Sequence, residues 1–128
     1  MTHRILIVDD QPDIRKLIRL TLQHLDDAEV HEADNGVDGL RLAQQLKPDL
    51  MLLDVMMPGE LDGYQVCEKV KKDPLLGPHT KVILITARAQ KDDLEAGRKA
   101  STDAYLTKAF SPLKLLDLVD DMLEGRVA

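Results

Sequence analysis

The sequence predicts one α/β domain, a doubly wound parallel sheet of five strands covered by five helices, and three observations carry that prediction. Short runs of β-favouring apolar residues alternate along the chain with longer stretches of helical period. Three of those runs are apolar at every position, as in strands buried on both faces. A chain of 128 residues, 44% hydrophobic and 31% charged, has the length of a single domain and the composition of a packed one, so the domain is expected to span residues 1–128.

The first strand is Ile5-Leu6-Ile7-Val8, ended by Asp9-Asp10. Pro12 suits a first helical position and opens a helix in which Ile14, Leu17, Ile18, Thr21, Leu22 and Leu25 recur at three- and four-residue steps. Ala28 to Glu32 is a weaker strand. Asn35-Gly36 breaks the chain before a helix with Val37, Leu40, Ala43 and Leu46 on one face. Pro48-Asp49 then precedes the third strand, Leu50-Met51-Leu52-Leu53, which ends in Asp54. A loop with Pro58 and Gly59 leads to a helix from about Gly63 to Lys72, closed by Asp73-Pro74.

Val82-Ile83-Leu84-Ile85 is the fourth strand and ends in Thr86. A polar helix from about Gln90 to Ala100 follows, then the short strand Ala104-Tyr105-Leu106, which leads to Lys108. Ser111, a good N-cap, and Pro112 start the last helix, whose apolar positions are Leu115, Leu116, Val119, Met122 and Leu123. Right-handed crossovers between parallel strands leave few topologies for this pattern, and the flavodoxin-like order 2-1-3-4-5 is expected.

Composition excludes several functions. The formal charge of −6 and the scarcity of aromatics (Tyr64, Tyr105 and Phe110, with no tryptophan) argue against direct nucleic-acid binding. Lys69, Lys71 and Lys72 read as a solvated helix face. Cys67 has no partner for a disulfide and reads as a small core residue. His3, His24, His31 and His79 are scattered without metal-ligand spacing. No segment approaches the roughly 18 apolar residues of a membrane span, so no membrane contact and a cytoplasmic location are expected.

The chemistry is expected where an open parallel sheet binds ligands, outside the carboxyl ends of its strands. Strand 1 ends in Asp9-Asp10, strand 3 in Asp54 and strand 4 in Thr86, and strand 5 leads to Lys108. Three carboxylates brought together repel unless a cation joins them, and a set of hard oxygen ligands suits Mg²⁺. With that charge balanced, Asp54 can act as a carboxylate nucleophile toward a phosphoryl group. Lys108 would face the phosphoryl oxygens, and Thr86 would hydrogen-bond one of them.

Four segments in order carry a resemblance: Ile7-Val8-Asp9-Asp10; Leu53-Asp54-Val55-Met56-Met57-Pro58-Gly59 with Asp62-Gly63; Ile85-Thr86-Ala87; and Tyr105-Leu106-Thr107-Lys108. Through them the chain resembles the receiver domain of two-component response regulators over nearly its whole length. The resemblance implies that a sensor histidine kinase, or a phosphotransfer protein, donates a phosphoryl group from phosphohistidine to Asp54. It implies that Asp10, Asp54 and the backbone carbonyl of Met56 bind Mg²⁺, with Asp9 holding the ion through water. It further implies that Thr86 and Tyr105 form a switch pair that couples the site to the face of helix 4, strand 5 and helix 5, where a downstream partner or output domain docks. In the family such a domain is a phosphoacceptor and no enzyme beyond its own phosphoryl transfer and dephosphorylation.

The chain departs from the family pattern in three places. Ala109 follows Lys108, where the family usually has a proline joined by a cis bond; cis before a non-proline residue costs about 2.5–4 kcal/mol, so a trans bond and a different loop are expected. Ser101 stands where glycine often ends helix 4 and would be strained at positive φ. The loop from Pro58 to Gly63 is one residue longer than usual. Helix 5 lacks the arginine-rich face of DNA-binding regulators, and the Asp73-Pro74 loop is similar to that of single-domain, chemotaxis-regulator-like receivers or of receivers attached to cyclases and hybrid kinases. Three rival readings are an aspartyl-phosphate phosphohydrolase, a flavin-binding protein and a receiver that signals without phosphorylation. The first would need an acid two positions after the nucleophile, where Met56 stands. The second would place a phosphate against Asp9-Asp10, and the third draws only on Ala109.

Overall fold

The computed structural model describes residues 2–87, 91–108 and 110–124. Its elements are β1 (His3–Val8), α1 (Pro12–Leu22), β2 (Ala28–Ala33), α2 (Gly36–Leu46), β3 (Leu50–Asp54), α3 (Gly63–Lys72), β4 (Lys81–Thr86), α4 (Lys91–Lys99), β5 (Ala104–Thr107) and α5 (Pro112–Leu123). The strands form one parallel sheet in the order β2-β1-β3-β4-β5, as the sequence predicts.

The two-residue period of the strands divides the core in two. Ile5, Ile7, Leu50, Leu52, Ile83, Ile85 and Leu106 pack against Ile18 and Leu22 of α1 and Leu115, Val119 and Met122 of α5. Leu6, Val8, Met51, Leu53, Val82 and Leu84 face the other way, onto Ala43 of α2 and Val66, Cys67 and Val70 of α3. Covering both faces is what makes β1, β3 and β4 apolar at consecutive positions. The packing leaves the carboxyl ends of β1 and β3, neighbours across the point where strand order reverses, at one rim.

Three helices start on side-chain caps. Asn35 accepts from the amide of Asp38, Ser111 accepts from Lys114, and Asp62 and Gln65 form a reciprocal capping box. β1 begins at His3, two residues before the apolar run, because backbone pairing with Ala28 and Glu29 makes no demand on side-chain polarity. Ser101, with φ of 65°, holds the left-handed conformation that its sequence position raised as a possibility. The Lys108–Ala109 bond and Gln90 lie outside the described residues.

Lys71 corrects the reading of a solvated lysine face. Its ammonium donates to the carbonyl of Thr80 and to Asp103 Oδ2, both at 3.0 Å, and so ties α3 to the segment before β5. Lys72 stays exposed and pairs with Glu68 one turn back. Cys67 lies in the core as expected, and burial pushes its thiol up to about 12, out of the reactive range. Among the described residues no helix is long and apolar enough to cross a membrane.

Candidate functional site

Strand ends assemble the site. β1 delivers Asp9 and Asp10, and β3 delivers Asp54 to the adjacent rim. Each of the three carboxylates has an oxygen within 4.8 Å of the others, and among the described residues this is the one cluster of His, Cys, Asp or Glu so arranged. Asp9 and Asp54 are each 1% exposed. Lys108 reaches across from the end of β5, its ammonium 3.3 Å from Asp54 Oδ2 and 3.7 Å from Asp9 Oδ2. Its backbone amide donates to the carbonyl of Thr86 at 2.7 Å, which ties the lysine's main chain to the end of β4.

The inner oxygens are partly satisfied. Asp9 Oδ1 accepts from the amide of Gln11 at 2.8 Å, and Asp54 Oδ1 accepts from the amide of Met56 at 3.3 Å. Asp9 Oδ2 and Asp54 Oδ2 are buried and accept no hydrogen bond. Burial is the largest cause that holds Asp54 above the ordinary carboxylate range, at about 7; the charge of Asp9 adds to it and Lys108 opposes it. Burial likewise raises Asp9, against the Gln11 amide and Lys108. One ammonium faces two buried acids and a third at the rim, so the site carries excess negative charge. Two orphaned buried oxygens in an all-carboxylate cluster suit a hard divalent cation bound through oxygen.

Thr86 is buried at the end of β4, opposite Thr107, while Tyr105 lies opposite Leu84. Residues two apart on a strand share a face, so Thr86 and Tyr105 point to the same side of the sheet, about 7 Å apart along it. Tyr105 donates its hydroxyl proton to the hydroxyl of Tyr64 on α3 at 2.6 Å. Its ring lies so close to α4 that a Cβ at Gly97 would come within 2.1 Å of it. Met56 has an exposed side chain, and its amide turns toward Asp54.

Gly97→Ala is therefore expected to turn the Tyr105 ring away from Tyr64. Tyrosine ellipticity in the near ultraviolet checks this, since Tyr64 and Tyr105 are the chain's two tyrosines and tryptophan is absent. Loss of that signal with native far-ultraviolet ellipticity is the predicted result.

Sequence reasoning missed three residues of this neighbourhood. Gln11 bonds both Asp9 and Lys108, Arg15 donates to the carbonyl of Asp9 at 2.8 Å while pairing with Glu32, and Tyr64 meets Tyr105. Gln11 carried one signal, its place directly after Asp9-Asp10 and before Pro12. Gly63 belongs to one of the four motif segments, and the structure supplies its reason: a Cβ there would come within 2.2 Å of the carbonyl oxygen of Asp54.

Known proteins share this fold. The family model for the response regulator receiver domain matches residues 5–120. The DNA-binding dual master transcriptional regulator RpaA of Synechocystis sp. is 38% identical over 120 residues, covering 94% of this chain and 48% of that protein. The signal receiver domain of the response regulator NarL from Mycobacterium tuberculosis superposes with a TM-score of 0.89 at 30% identity, covering 98% of each chain. Chemotaxis protein CheY4 of Vibrio cholerae superposes with a TM-score of 0.87 at 27% identity, covering 96% of this chain and all of that one. The chain spans about half the length of the curated relatives it matches. With the flavodoxin-like strand order and the acidic rim in place, the match over residues 5–120 establishes that the chain belongs to the response regulator receiver domain family of two-component systems.

Proposed function

We propose that this receiver takes a phosphoryl group onto Asp54 from the phosphohistidine of a sensor histidine kinase or phosphotransfer protein. The observation that carries the proposal is the pair of buried carboxylates, Asp9 and Asp54, facing Lys108 at 3.7 and 3.3 Å on the sheet's carboxyl rim. In the transfer an oxygen of Asp54 bonds to phosphorus as the phosphorus–nitrogen bond breaks, and the imidazole nitrogen keeps the electron pair. Little covalent chemistry falls to the protein in such a step, which rests on positioning and charge neutralisation.

Asp10, Asp54 and the carbonyl of Met56 would hold Mg²⁺, with Asp9 acting through water. When bound, the ion supplies positive charge to the carboxylates and the phosphoryl oxygens. Lys108 supplies a second positive charge, its ammonium 3.3 Å from Asp54 Oδ2. Thr86 donates its hydroxyl to a phosphoryl oxygen, and Tyr105 follows on the same face of the sheet, which alters the surface of α4, β5 and α5 for a partner or output domain. The domain acts as a switch and turns over no external substrate. It works in the cytoplasm, without membrane contact. We assign it no nucleic-acid contact, in keeping with its charge of −6.

Incubation with acetyl phosphate tests the reading by intact mass. A gain of one phosphoryl group is expected with Mg²⁺ and none with a chelator in excess. Uptake indifferent to the divalent ion would contradict the proposal.

A further inference from the structure

Gln11 occupies the N-cap of α1 in extended backbone conformation, yet its side chain makes no capping hydrogen bond. The caps of α2, α3 and α5 all do. Gln11 Oε1 instead accepts from the Lys108 ammonium at 2.7 Å, across 97 residues of chain. Its own backbone amide donates to Asp9 Oδ1 at 2.8 Å. One residue thus holds both an acid of the cluster and the lysine that faces it.

We propose that Gln11 is a positioning residue for phosphoryl transfer, whose side-chain carbonyl keeps the Lys108 ammonium at the mouth of the crevice beside Asp54. The inference rests on the receiver reading above. An ammonium has three donors on a flexible four-carbon stem, and much of its freedom would carry it into water. Gln11 takes one donor and so holds the ammonium at ion-pair distance from both acids, 3.3 Å from Asp54 Oδ2 and 3.7 Å from Asp9 Oδ2. A neutral acceptor suits the task. It fixes the ammonium without adding charge to an acidic site, and it still holds when the charge on Asp54 moves outward onto a phosphoryl group. The anchor has particular weight in this chain, where Ala109 follows Lys108 and no proline ring restrains the backbone there.

Gln11→Asn separates the role from helix capping. Asparagine is one methylene shorter, too short for Lys108, and is among the best N-caps. The variant is expected to melt at or above the temperature of the parent, yet to take up phosphoryl from acetyl phosphate with Mg²⁺ about tenfold more slowly. In that reaction the Asp54 oxygen bonds to phosphorus and acetate leaves with the electron pair. Gln11→Ala should show the same slowing, and in a Lys108→Met background neither substitution should slow the reaction further. A second readout needs neither metal nor phosphate: the NMR order parameter of the Lys108 ammonium should fall in both variants. Gln11→Asn reacting at the parental rate, or an equal slowing in the Lys108→Met background, overturns the inference. If the parent takes up no phosphoryl group while Lys108 mobility rises, the receiver reading falls and the anchor stands; unchanged mobility overturns the anchor.

Discussion

Asp54→Asn, freed of divalent ions, is expected to be more stable than the parent above pH 7 and to lose that advantage as pH falls toward 4. Burial and the neighbouring charge of Asp9 hold the Asp54 proton to about pH 7, whereas the unfolded chain releases it near the ordinary carboxylate value. Between about pH 4 and 7 the native state therefore binds a proton that the unfolded state has lost, and stability falls as pH rises through that window. Above it the parent carries a buried charge with an unsatisfied oxygen, at a cost on the order of a few kcal/mol. The side-chain amide of the Asp54→Asn variant bears no charge at any pH, so the cost disappears. Urea unfolding in chelator at pH 4.5 and pH 8 measures it, with curves close at the lower pH and the variant's midpoint higher at the upper. The same substitution should abolish phosphoryl uptake, since an amide nitrogen or oxygen is a poor nucleophile beside a carboxylate.

Lys108→Met should act in the opposite direction on stability. Among the described residues Lys108 is the cation in ion-pair contact with Asp9 and Asp54, both buried. Removing one partner of a buried pair typically costs about 3–5 kcal/mol because the other charge is left uncompensated. Lys108 is partly exposed and faces two acids, which will protonate in response, so the lower end of that range is expected at pH 8 and little loss at pH 5. Phosphoryl uptake should fall by about 10²–10³, the usual effect of deleting one positioned charge on a transferring group. Combining Asp54→Asn with Lys108→Met should recover part of the lost stability, a coupling measurable as a double-mutant cycle. Additive effects would mean that the lysine and the acid do not feel each other.

Most of the fold was legible because burial on both sheet faces writes itself as consecutive apolar residues, as at Leu50 to Leu53 and Val82 to Ile85. The acidic rim was legible for a related reason: Asp9, Asp54 and Thr86 are polar residues that directly end such runs. What escaped were side-chain partners far apart in the chain. Gln11 bonds a residue 97 positions away and Tyr64 one 41 positions away, and neither pairing has a local pattern. Lys71 looked like its exposed neighbour Lys72, and only the packing of α3 beside Thr80 and Asp103 separates them. Gly97 in a polar helix gave no hint that a tyrosine ring from β5 would lie against it.

Reductive trapping tests the assignment of the phosphoacceptor most directly. Borohydride reduces an aspartyl phosphate to homoserine and leaves phosphoserine, phosphothreonine and free carboxylates untouched. After incubation with acetyl phosphate and Mg²⁺, peptide mass mapping should find homoserine in place of Asp54 and unchanged aspartate at positions 9 and 10. Reduction at Asp9 or Asp10, or a borohydride-resistant phosphoryl group elsewhere with Asp54 intact, would contradict the account.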